Sequence, residues 1–501
     1  MPWLEWNERN KALTEAAKAP YRLMIPNKSM SYGEESENML IEGDNLEALK
    51  ALLPYYAGRV KCVFIDPPYN TKSAFEHYDD NLEHSQWLSM MYPRLVMLWE
   101  LLSEDGSIWV TLDDSEAHYL KVMLDEVFGR SRFVATVIWE KADSPRNSAR
   151  QFSSDHDYML VYAKDPMWKP NKLPRTDAAN SIYSNPDGDP RGPWLPGDPY
   201  ANKPYSKGLY TIQGPSGRSF SPPPGRFWRI SEEKLRELDE DGRIWWGPKG
   251  EARPSIKRYL NEVGDLVPRT FWRKEDVGSN RTSKNEMRAL FPGESSFDTP
   301  KPEALIQRVL TIATEAGDIV LDSFLGSGTT SAVAHKMGRQ WIGIEMGNQA
   351  RTLCRERLVK VVDGERGGIS KDVGWEGGGG FLFYTLGPKV FEENGSINPA
   401  VKFEHLAAHI WFVETGTPKK TTEMKSPLLG VHQGTAYYLL FNGILGDESE
   451  SGGNLLTLDT LDKLPEHDGP MVIYAAGTII SKSRRDQLGI SFKKTPYDIQ
   501  A

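Results

Sequence analysis

The chain has 501 residues, more than a single compact core usually holds, so we expect several domains. No apolar run approaches the roughly 18 residues that a membrane span needs, and the polar N-terminal segment lacks the apolar core of a signal peptide. We therefore expect a cytoplasmic protein without a membrane-spanning segment. The two cysteines and nine histidines show no metal-binding spacing, which predicts that the protein holds no metal.

The net charge of −9, taken alone, argues against a nucleic-acid partner, because contacts to phosphate need Lys and Arg. The charge is unevenly distributed, however. Residues 141–290 contain 26 Lys and Arg against 20 Asp and Glu, so this stretch carries a net charge of +6 and the remainder carries −15. The local basic charge leaves a nucleic-acid partner open.

The first third of the chain has a regular α/β pattern. Residues 1–38 are predicted to be a polar, helical lead-in. Beyond them the pattern predicts, in order, a strand at Met39–Ile41, a helix at Leu46–Leu53, a strand at Val60–Ile65, a helix at Trp87–Leu102, and strands at Ile108–Leu112, Phe133–Trp139 and Tyr158–Tyr162. Strands and helices that alternate in this way are typical of a largely parallel sheet.

The composition changes between residues 165 and 290. Residues 141–290 hold 17 of the 34 prolines, which disfavours long helices and strands. The stretch is also rich in tryptophan, with Trp194, Trp228, Trp245, Trp246 and Trp272 among many Arg and Lys. Because disordered chains are poor in large aromatic residues, the pattern predicts an irregular inserted domain rather than disorder.

Regular α/β character returns at Pro302. The pattern predicts a helix at Pro302–Glu315, a strand at Ile319–Asp322, a helix at Thr329–Met337 and a strand at Gln340–Glu345. The glycine-rich run 374–380 is a predicted linker. Beyond it, the apolar runs Ala436–Phe441 and Met471–Ala475 predict strands of a small C-terminal α/β domain.

A glycine-rich turn, Asp322 to Thr330, joins a strand to a helix. Glycines at such a turn let the backbone approach a ligand closely, and Glu345 ends the next strand, where dinucleotide-binding folds place an acid on ribose hydroxyls. NAD, FAD and S-adenosylmethionine sites share this pattern, and a tight structural turn would also give it. A P-loop is not expected, because the turn lacks the lysine that reaches the phosphates.

The motif Asp66-Pro67-Pro68-Tyr69 directly follows an apolar strand. The exocyclic amine of adenine is a poor nucleophile, because its lone pair is delocalised into the ring. Asp66 and the carbonyl of Pro67 can each accept one amine hydrogen and so localise the lone pair, while the prolines stiffen the loop. Tyr69 offers a face on which a base flipped out of a duplex can stack. A proline-rich turn that merely ends the strand is the structural alternative.

Together the two motifs resemble the β-class amino-DNA methyltransferases, and within them the adenine methyltransferase (modification) subunits of type III restriction–modification systems. In that family the DPPY motif precedes the FxGxG motif, as Asp66–Tyr69 precedes Phe324–Gly328 here, and a target-recognition domain lies between them. The resemblance covers roughly residues 35–360, with a looser likeness around Ile490–Tyr497. It implies S-adenosylmethionine as the cofactor and double-stranded DNA as the substrate.

The resemblance also implies roles for individual residues. The catalytic residues would be Asp66, Pro67, Pro68 and Tyr69. The cofactor-binding residues would be Asp44 at the cofactor adenine, Lys301 beside the methionine end, Asp322, Phe324, Gly326 and Gly328 in the methionine-binding loop, and Glu345 at the ribose. The segments Ile138–Lys141 and His156–Tyr158 resemble the hairpin beside the target-base pocket.

The implied fold is α/β, a circularly permuted Rossmann-like methyltransferase sheet with strand order 3-2-1-4-5-7-6. This permutation would place the glycine-rich turn and the DPPY loop together, at the point of the sheet where ligands bind. The implied domains are the lead-in 1–38, a catalytic half 39–164, a target-recognition domain 165–290, a cofactor-binding half 291–373 and a C-terminal domain 381–501. The last would serve homodimerisation or contact a helicase–nuclease restriction subunit.

Asp66 favours adenine over cytosine, since the N4-cytosine methyltransferases of this family usually have Ser at that position. Three alternatives stay open at this point. The chain could be an N4-cytosine methyltransferase, a stand-alone adenine methyltransferase without a nuclease partner, or a catalytically inactive DNA-binding subunit.

Overall fold

The computed structural model describes residues 3–70, 83–145, 147, 149–293, 299–420, 423–446 and 453–499. The chain divides into two compact units. The first comprises Met1–Asn171 and Arg269–Ala501, and the second comprises Lys172–Pro268. No described helix is long and apolar enough to cross a membrane.

The strands are short in the second unit and longer in the first. In chain order they are β1 (Arg22–Pro26), β2 (Tyr32–Gly33), β3 (Met39–Glu42), β4 (Val60–Ile65), β5 (Leu102–Leu112), β6 (Phe133–Glu140), β7 (His156–Ala163), β8 (Trp194–Gly197), β9 (Tyr200–Ala201), β10 (Ile212–Gln213), β11 (Ser219–Phe220), β12 (Phe227–Trp228), β13 (Ile244–Trp245), β14 (Ser255–Tyr259), β15 (Phe271–Trp272), β16 (Ile319–Asp322), β17 (Gln340–Glu345), β18 (Gly380–Lys389), β19 (Leu428–His432), β20 (Thr435–Leu439), β21 (Leu455–Leu456), β22 (Met471–Ala475), β23 (Gly477–Thr478) and β24 (Ile490–Lys494).

The helices lie mostly in the first unit. They are α1 (Arg9–Lys18), α2 (Asn45–Tyr56), α3 (His84–Leu101), α4 (Ala117–Leu124), α5 (Asp177–Asn180), α6 (Glu232–Glu240), α7 (Lys274–Val277), α8 (Asn280–Leu290), α9 (Glu303–Ala313), α10 (Thr329–Lys336), α11 (Arg355–Val362), α12 (Phe403–Thr415), α13 (Leu458–Leu461) and α14 (Lys482–Gln487).

An eleven-stranded sheet forms the centre of the first unit, in the order β1-β18-β3-β17-β16-β4-β5-β7-β6-β15 with β2 paired to β18. Its middle, β3-β17-β16-β4-β5-β7-β6, is the predicted order 3-2-1-4-5-7-6, so the permuted Rossmann-like fold is confirmed. Strands β16 and β17 come late in the chain but lie between β3 and β4 in space. Strand β7 lies between β5 and β6 and is antiparallel to both.

The central strands are largely apolar because both faces of the sheet are covered. Every residue of β16 is buried, and five of the six residues of β4 are. Parallel strands covered on both faces have this composition. Asp44 caps the N-terminus of helix α2, and its carboxylate accepts hydrogen bonds from the backbone of Leu46 and Glu47. This cap fixes the start of the helix next to the carboxyl end of β3.

The ends of the sheet differ from the expected domain boundaries. The lead-in 1–38 contains one helix and two strands, and β1 pairs with β18 through contacts such as Pro26 opposite Tyr384. In turn β18 pairs in parallel with β3, with Leu382 opposite Met39. The chain after the glycine-rich run therefore extends the central sheet instead of starting a separate domain at residue 381. Its apolar residues complete the sheet beyond β3.

The C-terminal part of the first unit has its own sheet, β19-β20-β22-β24, in which β20, β22 and β24 are parallel. Its α/β character agrees with the sequence analysis. Helix α12 packs between this sheet and residues of the N-terminal segment, with Leu406 and Trp411 in the same buried cluster as Tyr21 and Leu23.

The second unit lies inside the predicted insertion 165–290. It contains three small antiparallel sheets, β10-β11, β12-β9 and β13-β14-β8, around a core rich in aromatic residues that includes Trp228 and Trp246. Residues 269–290 belong to the first unit instead. The reason is that β15 pairs with β6, with Trp272 opposite Trp139.

Candidate active site

Two loops meet at the carboxyl edge of the central sheet. Strands β4 and β16 are parallel neighbours, with Cys62 opposite Val320 and Val63 opposite Leu321. Asp66 directly follows β4, and Asp322 is the last residue of β16. The DPPY loop and the glycine-rich turn therefore leave the sheet side by side, at the edge where ligands bind in sheets of this class.

The carboxylate of Asp66 is held from two sides. The hydroxyl of Thr111, at the end of β5, donates to Asp66 Oδ1 over 2.5 Å. The ammonium of Lys301 donates to Asp66 Oδ2. Thr111 is fully buried and Lys301 nearly so, which restricts the carboxylate to one orientation. An acceptor that is fixed in this way needs little reorganisation when a substrate arrives.

Tyr69 is held by a residue of β7, the strand that pairs antiparallel with β5. Its hydroxyl donates to Asp157 Oδ2 over 3.2 Å, and Lys141 donates to Asp157 Oδ1 over 2.5 Å. Burial raises the pKa of Tyr69 well above its ordinary value, and the neighbouring carboxylates of Asp157 and Asp66 act in the same direction. Burial also raises the pKa of Asp157, against the opposing charges of Lys141 and Lys301. The phenol is thus a neutral donor with a set ring orientation.

The remainder of the DPPY loop is anchored to helix α3. The indole nitrogen of Trp87 donates to the carbonyl of Pro68 over 2.7 Å. Pro67, whose carbonyl is the second predicted amine acceptor, is itself a buried residue. Because Trp87 holds the carbonyl of Pro68 and Pro67 is packed inside the protein, the backbone conformation of the loop is fixed.

The residue after Tyr69 is also anchored. The amide of Asn70 donates to Glu116 over 2.7 Å, and His84 lies 2.9 Å from the same carboxylate. Asn70 has a left-handed backbone, with φ of 58°, a conformation that asparagine tolerates better than most residues. Glu116 is 2 % exposed, so its contacts with Asn70 and His84 fix the backbone directly after the DPPY motif against the protein interior.

The glycine-rich turn is organised around two buried carboxylates. Glu345 accepts from the backbone nitrogens of Gly326, over 2.6 Å, and Met346, over 3.1 Å. Asp322 accepts from the backbone of Phe324 over 2.9 Å. Both Gly326 and Gly328 have a left-handed backbone, with φ of 59° and 79°. Side chains at these two positions would strain the turn.

Burial raises the pKa of Asp322 to about 7, although hydrogen bonds from Thr330 and from the backbone of Phe324 oppose this shift. The carboxylates of Asp66 and Glu345 act in the same direction as burial. Asp322 therefore gains or loses its proton close to neutral pH. A cationic group bound next to it would favour the ionised form.

Asp44 and Lys301 occupy different parts of the site. Asp44 caps α2, pairs with Arg94 over 3.1 Å and stays 41 % exposed. Its neighbour Asn45 donates to the carbonyl of Ser323 over 2.7 Å, so this helix start touches the glycine-rich turn. Lys301, by contrast, reaches the DPPY loop, with its ammonium bonded to Asp66 and 5.1 Å from the centre of the Tyr69 ring.

A buried ion network supports the glycine-rich turn from behind. Arg357 donates to the hydroxyl of Thr329 over 2.8 Å and to the carbonyl of Ser327 over 3.3 Å. It also donates to Glu303 over 2.8 Å, and Lys336 donates to the same carboxylate over 2.7 Å. These contacts fix the beginning of α10. Within the described ranges no group of three or more His, Cys, Asp or Glu side chains is placed to hold a metal.

The sequence analysis did not select several of these residues. Thr111, Glu116 and Arg357 belong to no motif that the sequence shows. Asp157 lies in the segment His156–Tyr158, which resembles the hairpin beside the target-base pocket, but its own role is not evident there. Each of the four acts through a partner far away in the chain. The one available signal was position: Thr111 lies near the end of the predicted strand next to the DPPY strand, and Asp157 directly precedes the predicted strand Tyr158–Tyr162, one strand further along the sheet.

Comparison with known proteins gives consistent matches. A family model described as DNA methylase matches residues 60–356. The StyLTI Mod subunit of a type III restriction–modification enzyme from Salmonella typhimurium is 31 % identical over 358 residues, 64 % of this chain and 54 % of the relative. The probable HindVI Mod subunit of Haemophilus influenzae is 32 % identical over 434 residues, 72 % of this chain and 55 % of the relative. The chain thus spans about half the length of these curated relatives.

Among solved structures, the M1.HpyAVI–SAM complex aligns at a TM-score of 0.33 with 16 % identity, and the alignment covers 64 % of this chain and 99 % of that chain. The family model spans both motifs, the DPPY loop and the glycine-rich turn, and the resemblance inferred from the sequence is confirmed at the level of the family.

Proposed function

The chain belongs to the DNA methylase family, and from this premise we propose that it transfers a methyl group from S-adenosylmethionine to the N6 amine of an adenine flipped out of double-stranded DNA. The observation that carries the proposal is the adjacency of the two loops. Asp66 directly follows β4 and Asp322 ends the neighbouring parallel strand β16, so an amine bound at one and a cofactor bound at the other lie at the same edge of the sheet.

Asp66 and Pro67 supply the two acceptors that an exocyclic amine needs. When Asp66 and the Pro67 carbonyl each accept one amine hydrogen, the nitrogen lone pair is directed out of the base plane, towards an electrophile. Tyr69 stacks on the base, and its hydrogen bond to Asp157 keeps the ring in place. The rate enhancement then comes mainly from positioning and from activation of the amine.

The residues of the glycine-rich turn fit S-adenosylmethionine. The left-handed Gly326 allows close approach of a ligand to the backbone, while the left-handed Gly328 lets the turn pack against Cys354 and Arg357. Glu345 is an acid at the end of β17, where a ribose is bound in this class of fold. Met346 follows it and is 63 % exposed, an apolar surface suited to a purine ring. When bound, S-adenosylmethionine supplies a methyl group on a positively charged sulfur. Asp44 would contact its adenine, and Asp322 its cationic methionine end.

Two features support adenine in DNA as the substrate and a role in restriction–modification. The first is Asp66, since an N4-cytosine enzyme of this family usually has Ser there. The second is that both curated relatives described above are named as Mod subunits of type III enzymes. We assign target recognition to the second unit, Lys172–Pro268, and homodimerisation or contact with a helicase–nuclease subunit to the C-terminal sheet, in a cytoplasmic protein.

The test is a methylation assay with the purified chain. Genomic DNA free of N6-methyladenine is incubated with the protein and isotope-labelled S-adenosylmethionine, and the nucleosides are separated by mass spectrometry. The proposal expects label in N6-methyladenine, and sequencing then maps the site. Label in N4-methylcytosine would identify the cytosine alternative, and no label in any base would identify an inactive DNA-binding subunit.

A further inference from the structure

A large aromatic side chain stands in solvent on the loop that joins β6 to β7, residues 141–155. Phe152 is 94 % exposed, the highest value among the large hydrophobic residues that the structure describes. Soluble proteins expose single apolar residues commonly, so exposure alone assigns no role. The role that we infer for Phe152 rests on the position of its loop.

The loop lies at the same edge of the sheet as the DPPY motif. Strand β7 runs antiparallel to β5, with Tyr158 opposite Leu112, so the beginning of β7 lies at the carboxyl end of β5. The two ends of the loop are joined to each other by hydrogen bonds from the backbone of Lys141 and Ala142 to the carbonyl of Asp155. The loop therefore projects from the edge of the sheet that carries Asp66 and Tyr69.

The base of the loop is linked to Tyr69 through the carboxylate of Asp157. Lys141, its first residue, donates to Asp157, and Asp157 accepts from the hydroxyl of Tyr69. The groups that orient the stacking ring for the flipped base thus also hold the loop. Arg150, two residues before Phe152, is exposed and can reach a phosphate, the commonest contact of proteins with DNA.

We propose that Phe152 is the residue that enters the base stack of the duplex and fills the space left by the flipped adenine. The inference rests on the proposed function, since it requires a base that leaves the duplex. Proteins that distort DNA commonly insert apolar side chains such as Phe between bases, and a side chain in the vacated space keeps the target base from returning. An exposed apolar ring on a loop that leaves the same edge of the sheet as the DPPY motif has the chemistry for this task.

The test compares paired and unpaired target bases. The substrates are a duplex with the site mapped for the wild-type protein and the same duplex with an abasic position opposite the target adenine. Replacing Phe152 by Ala should lower kcat/KM on the paired duplex by about tenfold or more. Without the ring, nothing offsets the stacking and pairing energy that is lost when the paired adenine leaves the duplex. On the abasic duplex the same variant should be within about threefold of wild type, since little pairing has to be broken.

Two variants serve as controls. Phe152→Trp keeps a flat ring and should retain the activity of the wild type on both duplexes. Met167→Ala removes another apolar side chain, 75 % exposed, that follows the far end of β7 and so lies at the opposite edge of the sheet; it should change neither rate. Calorimetry with S-adenosylmethionine should give the same affinity for all variants.

The possible failures are distinguishable. An active wild-type protein with an equally active Phe152→Ala variant would overturn the role of Phe152 alone. Equal losses on the paired and abasic duplexes would also overturn it, because they would indicate a general DNA or protein contact. A wild-type protein that methylates neither duplex would overturn the proposed function and the inference with it.

Discussion

The ammonium of Lys301 donates a hydrogen bond to the carboxylate of Asp66, which lies 235 positions earlier in the chain. The same ammonium lies 5.1 Å from the centre of the Tyr69 ring. Lys301 comes just before helix α9, in the half of the chain that carries the glycine-rich turn, whereas Asp66 and Tyr69 belong to the other half. This ion pair thus joins the DPPY loop to the half of the chain that carries the glycine-rich turn.

This relationship predicts that Lys301 serves the methylation step more than cofactor binding. Replacing Lys301 by Met removes the donor to Asp66 and should lower kcat by about tenfold or more, as expected when a charged hydrogen bond worth roughly 1.5–3 kcal/mol is lost. The affinity for S-adenosylmethionine, measured by calorimetry, should stay within about threefold of wild type, and Lys301→Arg should restore part of the rate. A variant that loses cofactor binding instead would support the role that the family resemblance implied for Lys301.

Gly326 provides a separate test of the cofactor site. Gly326→Val places a branched side chain at a left-handed position and should abolish S-adenosylmethionine binding in calorimetry. Gly338→Val is the matched control, because Gly338 also has a left-handed backbone, with φ of 69°, and open space around it. Both variants should lose stability, by about 1 kcal/mol or more, but the Gly338 variant should still bind the cofactor. Equal affinities for the two would place the cofactor elsewhere.

Tyr69 has two functions that substitutions can separate. Tyr69→Phe keeps the stacking ring and loses the hydroxyl that donates to the Asp157 carboxylate, so we expect a decrease in methylation of about tenfold or more, in line with roughly 1.5–3 kcal/mol for a hydrogen bond to a charged group. Tyr69→Ala removes the stacking surface, worth about 1–3 kcal/mol per base, and should decrease the rate much further. Steady-state rates on one duplex measure both. If the two variants lose equal activity, Tyr69 does not stack on the base.

The raised pKa of Asp322 predicts how stability depends on pH. Its pKa is raised to about 7 in the folded chain, so between its ordinary value of 3.8 and about 7 the folded chain binds this proton more tightly than the unfolded chain. This stabilisation is complete below the ordinary pKa and is lost as the pH rises to about 7, a change on the order of a few kcal/mol. In Asp322→Asn the contribution is absent.

Urea unfolding at pH 5 and pH 8 checks this prediction. The difference in unfolding free energy between the wild type and Asp322→Asn should favour the wild type more at pH 5 than at pH 8. The comparison with the variant is needed because burial near Glu303 also raises the pKa of Glu286 to about 7. A difference between the two proteins that does not change with pH would show that Asp322 keeps its ordinary pKa.

The sequence predicted the sheet better than it predicted the site. The DPPY and glycine-rich motifs indicate the family resemblance, and the strand order that the resemblance implies places β16 between β17 and β4, as the structure has it. The chain after residue 380 was assigned to a separate domain, because a short apolar stretch does not reveal which sheet it joins. Side-chain partners such as Asp157 and Thr111 could not be predicted either, since hydrogen bonds between distant strands depend on register, which the composition does not determine.

The most direct test of the account is the methylation activity of Asp66→Ala. The purified variant and the wild type are incubated with the same unmethylated DNA and labelled S-adenosylmethionine, and N6-methyladenine is measured by mass spectrometry. Because the proposal places the amine at Asp66 and the cofactor at the glycine-rich turn, the variant should form no detectable N6-methyladenine while it binds S-adenosylmethionine nearly as well as the wild type. An Asp66→Ala protein that forms N6-methyladenine at close to the wild-type rate would contradict the account.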